Sequence, residues 1–205
     1  TVTQVQALCD ELRDCVGWNA PILIDQEGGR VQRLRPPLAR EFLPPLAQCQ
    51  RAGAQASRAM YLRFRIIAAE LQALGIDVNC APVADIARPD THPFLHNRCY
   101  GETAAKVMGL ARAAANGLLD GGVVPVIKHM PGHGLGVVDS PHALPQVAAT
   151  AAVLEQDDFA VFTELNDLPM AMTAHVVYAA YDMLPATVST QMLGIMRNQI
   201  GFSGL

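Results

Sequence analysis

Short apolar runs alternate with longer segments of helical periodicity along the whole chain of 205 residues. Continuous apolar runs are typical of strands buried on both faces, and intervening helices predict parallel strands joined by right-handed crossovers. The predicted strands are 22–24, 76–83, 123–127 and 170–176. The predicted helices are 3–16, 52–74, 103–119, 150–165 and 189–199. The pattern predicts an α/β fold and leaves open both a doubly wound sheet and a (β/α)8 barrel.

The composition excludes several classes of protein. Apolar residues make up 51% of the chain and charged residues 17%, which is typical of a folded domain rather than a disordered chain. A formal net charge of −4 argues against broad nucleic-acid binding, which needs a basic surface. No apolar run reaches the roughly 18 residues of a transmembrane helix. Because Thr1 is not an initiator Met and no basic region follows it, we interpret the N-terminus as an internal start rather than a signal peptide.

The cysteines point to a reducing compartment. No two of the five form a C-x-x-C pair; they are Cys9, Cys15, Cys49, Cys80 and Cys99. An odd number without metal-ligand spacing indicates reduced thiols in a cytoplasmic protein. We expect most of them to be small buried apolar residues.

Polar residues gather at the carboxyl ends of the predicted strands. They are Asp25, Asp85, Lys128, His129 and His175. This is the face that carries active sites in barrels and ligand sites in open sheets. No predicted strand is followed by a G-x-G-x-x-G or Walker motif, which argues against a nucleotide-binding open sheet.

The segment DQEGGRVQR, residues 25–33, places a carboxylate and two arginines on either side of two glycines. A carboxylate at a strand end, here Asp25, can bind two sugar hydroxyls, and an arginine can reinforce it. An Asp–Arg ion pair that only anchors a loop explains the same residues equally well.

The segment VIKHMPGHG, residues 126–134, carries one lysine and two histidines. A metal site at His129 and His133 is the competing interpretation, but both lie in a Pro/Gly segment and no H-E-x-x-H pattern is present. Hydrogen bonding to an uncharged polar ligand suits Lys128 and His129 better. A structural role in the loop is the simpler interpretation of His133.

Two other loops carry candidate groups. Asp139 and His142 lie three residues apart in a glycine-bearing segment, where a carboxylate can fix the tautomer of a histidine that acts as general acid or base. Arg98, in the polar segment 94–101, could reach a hydroxyl or a carboxylate, although a solvated loop arginine is the default expectation.

Together these segments resemble glycoside hydrolase family 3, in its bacterial cytoplasmic β-N-acetylglucosaminidase branch. The matching strings occur in the order of the family across nearly the whole chain: IDQEGGRVQRL (24–34), GIDVNCAPVADI (75–86), NRCYG (97–101), VIKHMPGHG (126–134), VDS (138–140) and MTAHVVY (172–178). The resemblance implies a (β/α)8 barrel that removes terminal β-linked N-acetylglucosamine with retention, through a covalent intermediate on an aspartate. It implies N-acetylglucosaminyl-anhydromuramyl peptides from cell-wall recycling as substrates, a cytoplasmic location, and no cofactor, metal, nucleic-acid or membrane partner.

The resemblance also implies roles for individual residues. It assigns sugar binding to five positions: Asp25, Arg33, Arg98, Lys128 and His129. Asp139 matches the aspartate that orients a histidine acting as acid and base. The family places that histidine two residues later, where this chain has Pro141, and His142 follows. A proline cannot transfer protons, so we expect His142 either to substitute or to leave proton transfer impaired.

The part of the barrel that this sequence predicts is incomplete. Only about four of the eight strands are predicted, and the chain ends at Leu205, where the strand bearing the nucleophilic aspartate should begin. We therefore expect residues 1–205 to be a single partial barrel domain without normal hydrolase activity by itself. A sugar-binding protein that has lost its catalytic groups is the alternative, and the oligomeric state is left open.

Overall fold

The computed structural model describes residues 1–137 and 144–205. In chain order the strands are β1 (Leu23–Ile24), β2 (Gln26–Gly28), β3 (Val31–Gln32), β4 (Val78–Asn79), β5 (Val124–Met130), β6 (Gln146–Val147), β7 (Met170–Thr173) and β8 (Val177–Tyr178). The α-helices are α1 (Val2–Val16), α2 (Pro45–Ala52), α3 (Ala56–Gln72), α4 (Pro93–His96), α5 (Ala104–Leu119), α6 (Ala151–Leu154), α7 (Ala160–Glu164) and α8 (Thr190–Gly194). Within these two ranges no helix has the length and apolar character needed to cross a membrane.

Four parallel strands form the centre of the fold, in the order β1-β4-β5-β7. Within this sheet, each strand pairs with the one that follows it in chain order, as in the register Ile24↔Asn79 and Asn79↔Pro125. α3 connects β1 to β4, α5 connects β4 to β5, and α6 and α7 connect β5 to β7. This sequential order is that of a barrel wall, whereas a doubly wound sheet reverses its order partway. The predicted α/β fold with about four parallel barrel strands is confirmed.

The outer edge of β7 is hydrogen-bonded to the end of the chain. The Ala171 amide donates to the Leu205 carbonyl at 2.7 Å, and the Leu205 amide donates to the Pro169 carbonyl at 3.1 Å. Leu205 thus lies beside β7 as a residue of a neighbouring strand would.

Some local structure differs from the sequence prediction. Residues 26–32, predicted as a loop, form the antiparallel pair β2 and β3, because Gly28 and Gly29 adopt positive φ angles of 93° and 65° and reverse the chain. The predicted strand 76–83 is shortened to Val78–Asn79 with one further bridge, Val83↔Lys128, because Pro82 has no N–H to donate. The helical pattern from residue 52 also missed the separate helix α2.

The helices α3 and α5 pack closely on the outside of the sheet. Their facing residues are completely buried, with large side chains such as Phe64 and Ile67 on α3 against Ala111, Ala114 and Leu118 on α5. Small residues on one helix let the backbones approach, and the large residues of the other fill the space between them.

Replacing Gly117 with alanine should test this close approach. A Cβ at Gly117 would overlap the Tyr61 carbonyl oxygen on α3, so we expect the free energy of unfolding to fall by about 1–3 kcal/mol. Gly109, on the same helix, has open space around its Cβ position, and Gly109→Ala should raise stability by about 0.5–1 kcal/mol. Chemical denaturation of both variants measures the difference. Equal stability of the two would contradict the packing described here.

Candidate active site

A buried ion cluster lies at the carboxyl ends of β1 and β5. The Lys128 ammonium on β5 is 2.7 Å from Asp25 Oδ1 and 2.6 Å from Glu27 Oε1. Lys128 is 1% exposed and Glu27 is 0% exposed. A buried charge is stable only with a partner, so the two carboxylates fix the position of the ammonium group.

Glu27 also holds Arg98. Its two carboxylate oxygens accept hydrogen bonds from Arg98 Nε and Nη2, both at 2.9 Å, in the bidentate geometry that a guanidinium favours. The default expectation of a solvated loop arginine is wrong, since Arg98 is buried. Sequence reasoning missed Glu27 as a site residue. No pattern in the sequence marks it, because only the fold shows that two cations beside Asp25 are buried and require a second anion.

Asp25 is the member of the cluster that remains accessible. Its second oxygen, Oδ2, lies 3.6 Å from Arg33 Nη2, and the Arg33 side chain is 61% exposed. Burial by itself would raise the pKa of the Asp25 carboxyl, but Lys128 and Arg33 outweigh it and hold that pKa below its usual value. Asp25 therefore makes an ion pair and also presents an ionised carboxylate to solvent. The two interpretations of this segment, a sugar-binding carboxylate and an ion pair that anchors a loop, are compatible.

A second buried carboxylate, Asp85, lies beneath the two histidines of the VIKHMPGHG segment. Asp85 Oδ2 is 2.6 Å from His129 Nδ1, and Oδ1 accepts the backbone N–H of His133 at 2.7 Å. Burial opposes ionisation of Asp85, but the two histidines lower the pKa of its carboxyl. Burial also lowers the pKa of the His133 imidazole, which favours its neutral form.

The two imidazoles contact each other edge to face, with ring centroids 5.6 Å apart. Over residues 1–137 and 144–205, no three His, Cys, Asp or Glu side chains form a group suited to a metal ion. The competing metal interpretation would need further ligands beside His129 and His133.

A cavity of about 460 Å³ opens at this end of the sheet. Its walls come from α4, from the ends of β5 and β7, and from the segments next to these three elements. The lining residues are His92, Phe94, Leu95, Arg98, His129, His133, Gly136, Pro145, Met172, Thr173 and His175. Of the five predicted sugar-binding residues, Arg98 and His129 line this cavity, and Arg98 also belongs to the adjoining ion cluster with Asp25 and Lys128. Arg33 lies at the exposed edge of that cluster, beside Asp25. Glu27 joins the two groups, because it binds both Arg98 and Lys128.

The predicted acid–base residues, Asp139 and His142, lie outside the described residues. Val137 and Gln146, which lie on either side of residues 138–143 in the chain, exchange backbone hydrogen bonds of 3.0 and 2.9 Å. Gly136 and Pro145, next to that bridge, are part of the cavity wall.

Comparison with known proteins places the chain in a family. Residues 4–205 match the family model described as the glycosyl hydrolase family 3 N terminal domain. A β-hexosaminidase from Chromobacterium violaceum is 38% identical over 100% of this chain and 58% of its own length. A β-hexosaminidase from Alkalilimnicola ehrlichii is 37% identical over 98% of this chain and 59% of its own length. The chain therefore spans somewhat more than half the length of the curated relatives it matches.

Solved structures agree with this placement. NagZ from Neisseria gonorrhoeae, in complex with N-trifluoroacetyl-D-glucosamine, superposes with a TM-score of 0.92 at 31% identity, over 100% of this chain and 62% of that one. A glycoside hydrolase family 3 β-N-acetylglucosaminidase from Paenibacillus sp. superposes with a TM-score of 0.90 at 36% identity, over 100% of this chain and 40% of that one. From the family match, the whole-chain identity and the shared fold, we conclude that this chain belongs to glycosyl hydrolase family 3, within its N-terminal domain.

Proposed function

We propose that the whole protein is a retaining exo-β-N-acetylglucosaminidase, and that this chain supplies its sugar-binding site. The observation that carries the proposal is the ion cluster of Asp25, Lys128, Glu27 and Arg98 beside the cavity wall that contains His129. Relatives named β-hexosaminidase and β-N-acetylglucosaminidase support the same chemistry.

The charges of the cluster suit an uncharged sugar. Lys128 and Arg98 balance Asp25 and Glu27, and the exposed Arg33 beside Asp25 adds one positive charge, so the site offers charged hydrogen-bonding groups with a small net charge. The Asp25 carboxylate accepts hydrogen bonds from hydroxyls, while Lys128 and Arg98 donate to sugar oxygens. Hydrogen bonds to charged groups are stronger than those between neutral groups, and a site that pairs each hydroxyl rejects ligands that lack one.

In the proposed reaction an aspartate attacks C1 of the sugar, and the bond between C1 and the leaving oxygen breaks. An acid protonates that oxygen as it leaves, and the sugar stays bonded to the aspartate through C1. Water, deprotonated by the same group, then attacks C1, the bond between C1 and the aspartate breaks, and the sugar leaves with its original configuration. We assign the acid–base role to His142 oriented by Asp139, and the nucleophile to the part of the protein that follows the Gly-Phe-x-Gly segment at 201–204.

At a finer level we propose that the substrates are N-acetylglucosaminyl-anhydromuramyl peptides released during cell-wall recycling, and that the protein acts in the cytoplasm. Support comes from the motif resemblance and from the five cysteines, which are free thiols.

A protein that binds the sugar without hydrolysing it is the second candidate. The observation in its favour is Pro141, which occupies the position where the family carries its acid–base histidine. The two candidates share the sugar site and differ in turnover.

Asp25→Ala should weaken sugar binding under both candidates. Loss of charge-assisted hydrogen bonds of about 1.5–3 kcal/mol should weaken binding of N-acetylglucosamine roughly 10- to 100-fold, measured by calorimetric titration. Asp77→Ala is the matched control, because Asp77 is also a partly exposed aspartate paired with an arginine, Arg13, but lies before β4 rather than after a strand. Unchanged affinity in Asp25→Ala would show that the sugar site lies elsewhere.

Turnover separates the candidates. The natural full-length protein should hydrolyse an aryl N-acetyl-β-glucosaminide, and NMR of the first product should show the β anomer. His142→Gln should lower kcat roughly 10²- to 10⁴-fold if His142 is the acid–base residue. His96→Gln controls for loss of an imidazole outside the cavity wall. Sugar binding without turnover in the wild-type protein would favour the second candidate.

A further inference from the structure

Asp85 is completely buried, and the sugar-binding assignments leave it without a role. It follows β4, yet its hydrogen-bond donors among residues 1–137 and 144–205 belong to β5 or the segment after it. Oδ2 contacts His129 Nδ1 at 2.6 Å, while Oδ1 accepts the backbone N–H groups of His133 at 2.7 Å and His129 at 3.4 Å. One carboxylate therefore fixes both the end of the neighbouring strand and the start of the glycine-bearing segment.

The contact with Asp85 decides where His129 carries its proton. An ionised carboxylate only accepts hydrogen bonds, and Asp85 already accepts two backbone N–H groups at Oδ1. Its Oδ2, 2.6 Å from His129 Nδ1, therefore requires a proton on that nitrogen. The other ring nitrogen, Nε2, then has a free lone pair in the neutral imidazole. His129 lines the cavity and its side chain is 16% exposed, and Nδ1 is taken up by Asp85, so Nε2 is the ring nitrogen that a ligand hydroxyl could reach.

We propose that Asp85 is a positioning residue that holds His129 as the Nδ1–H tautomer, so that Nε2 accepts a hydrogen bond from a hydroxyl of the bound sugar. The same carboxylate anchors the backbone of His133, from which the chain continues toward residues 138–143. The hydroxyl partner rests on the proposed function, whereas the tautomer follows from this chain alone.

Asp85→Asn tests the proposal with almost no change in side-chain shape. Asparagine keeps one oxygen for the His133 N–H, but its NH2 group would face His129 Nδ1. A donor at that place favours the opposite tautomer, with the proton on Nε2, and turns an acceptor in the cavity into a donor. A carboxylate that only stabilises the fold would affect stability and leave the tautomer as it was.

The tautomer is measured directly by long-range ¹H–¹⁵N NMR of histidine-labelled protein, at a pH where the spectrum shows neutral imidazoles. His129→Gln identifies the signals. We expect Nδ1–H in the wild-type protein and Nε2–H in Asp85→Asn. Asp158→Asn is the matched control, because Asp158 is also buried but pairs with Arg88, and it should leave the His129 signals unchanged.

A wild-type spectrum with the proton on Nε2 would overturn the proposal, even if Asp85→Asn did not fold. An Nδ1–H signal that persists in a folded Asp85→Asn variant would also overturn it.

Binding of N-acetylglucosamine provides the second measurement. Asp85→Asn should weaken it about 10-fold, because a hydroxyl would meet a donor where the wild-type protein offers an acceptor. A tautomer switch with unchanged affinity would refute the role of Nε2. If the wild-type protein bound no N-acetylglucosamine but the tautomer still switched, the positioning role of Asp85 would stand and the proposed function would fail.

Discussion

The buried ammonium of Lys128 is the interaction on which the site depends. From its place on β5 it binds Asp25, which follows β1, and Glu27, which lies in β2. Through Glu27 it is linked to Arg98. Taking an ammonium and a carboxylate out of water costs several kcal/mol for each ion, so each member of this cluster is stable only while the others are present. The polar groups are therefore held in place before any ligand arrives, as a recognition site requires.

Two fully buried carboxylates of the site, Glu27 and Asp85, have similar roles in different places. Glu27 fixes two cations, Lys128 and Arg98, and Asp85 fixes His129 and the backbone of His133. Neither is part of the cavity wall, but the wall residues Arg98, His129 and His133 are hydrogen-bonded to them. The placement of Glu27 depends on close packing nearby. At Gly28 any Cβ would overlap the Arg63 guanidinium, which itself donates to the Glu27 carbonyl.

Much of the fold could be predicted from local patterns. Helical spacing and apolar runs depend on neighbours within a few residues, so the long helices α3 and α5 and the four parallel strands were predictable. The β2–β3 hairpin and α2 were not, because both are short and their formation depends on packing rather than on periodicity. The neighbour order that selects a barrel wall over a doubly wound sheet also required the structure. The motif resemblance implied a barrel, and the family match agrees with that implication.

By itself, the sequence determined the family and the strand ends that carry polar groups, because these depend on residue type and spacing. Through the family resemblance it also predicted five residues for sugar binding, and that assignment stays a prediction. Only the tertiary structure decided which charges meet. Lys128 contacts Asp25 across 103 positions, and Arg98 contacts Glu27 across 71. Such pairs form because parallel strands bring distant segments to one edge and a buried charge must find its counterion there. No local pattern shows this, and for that reason Glu27 and the role of Asp85 emerged only from the folded chain.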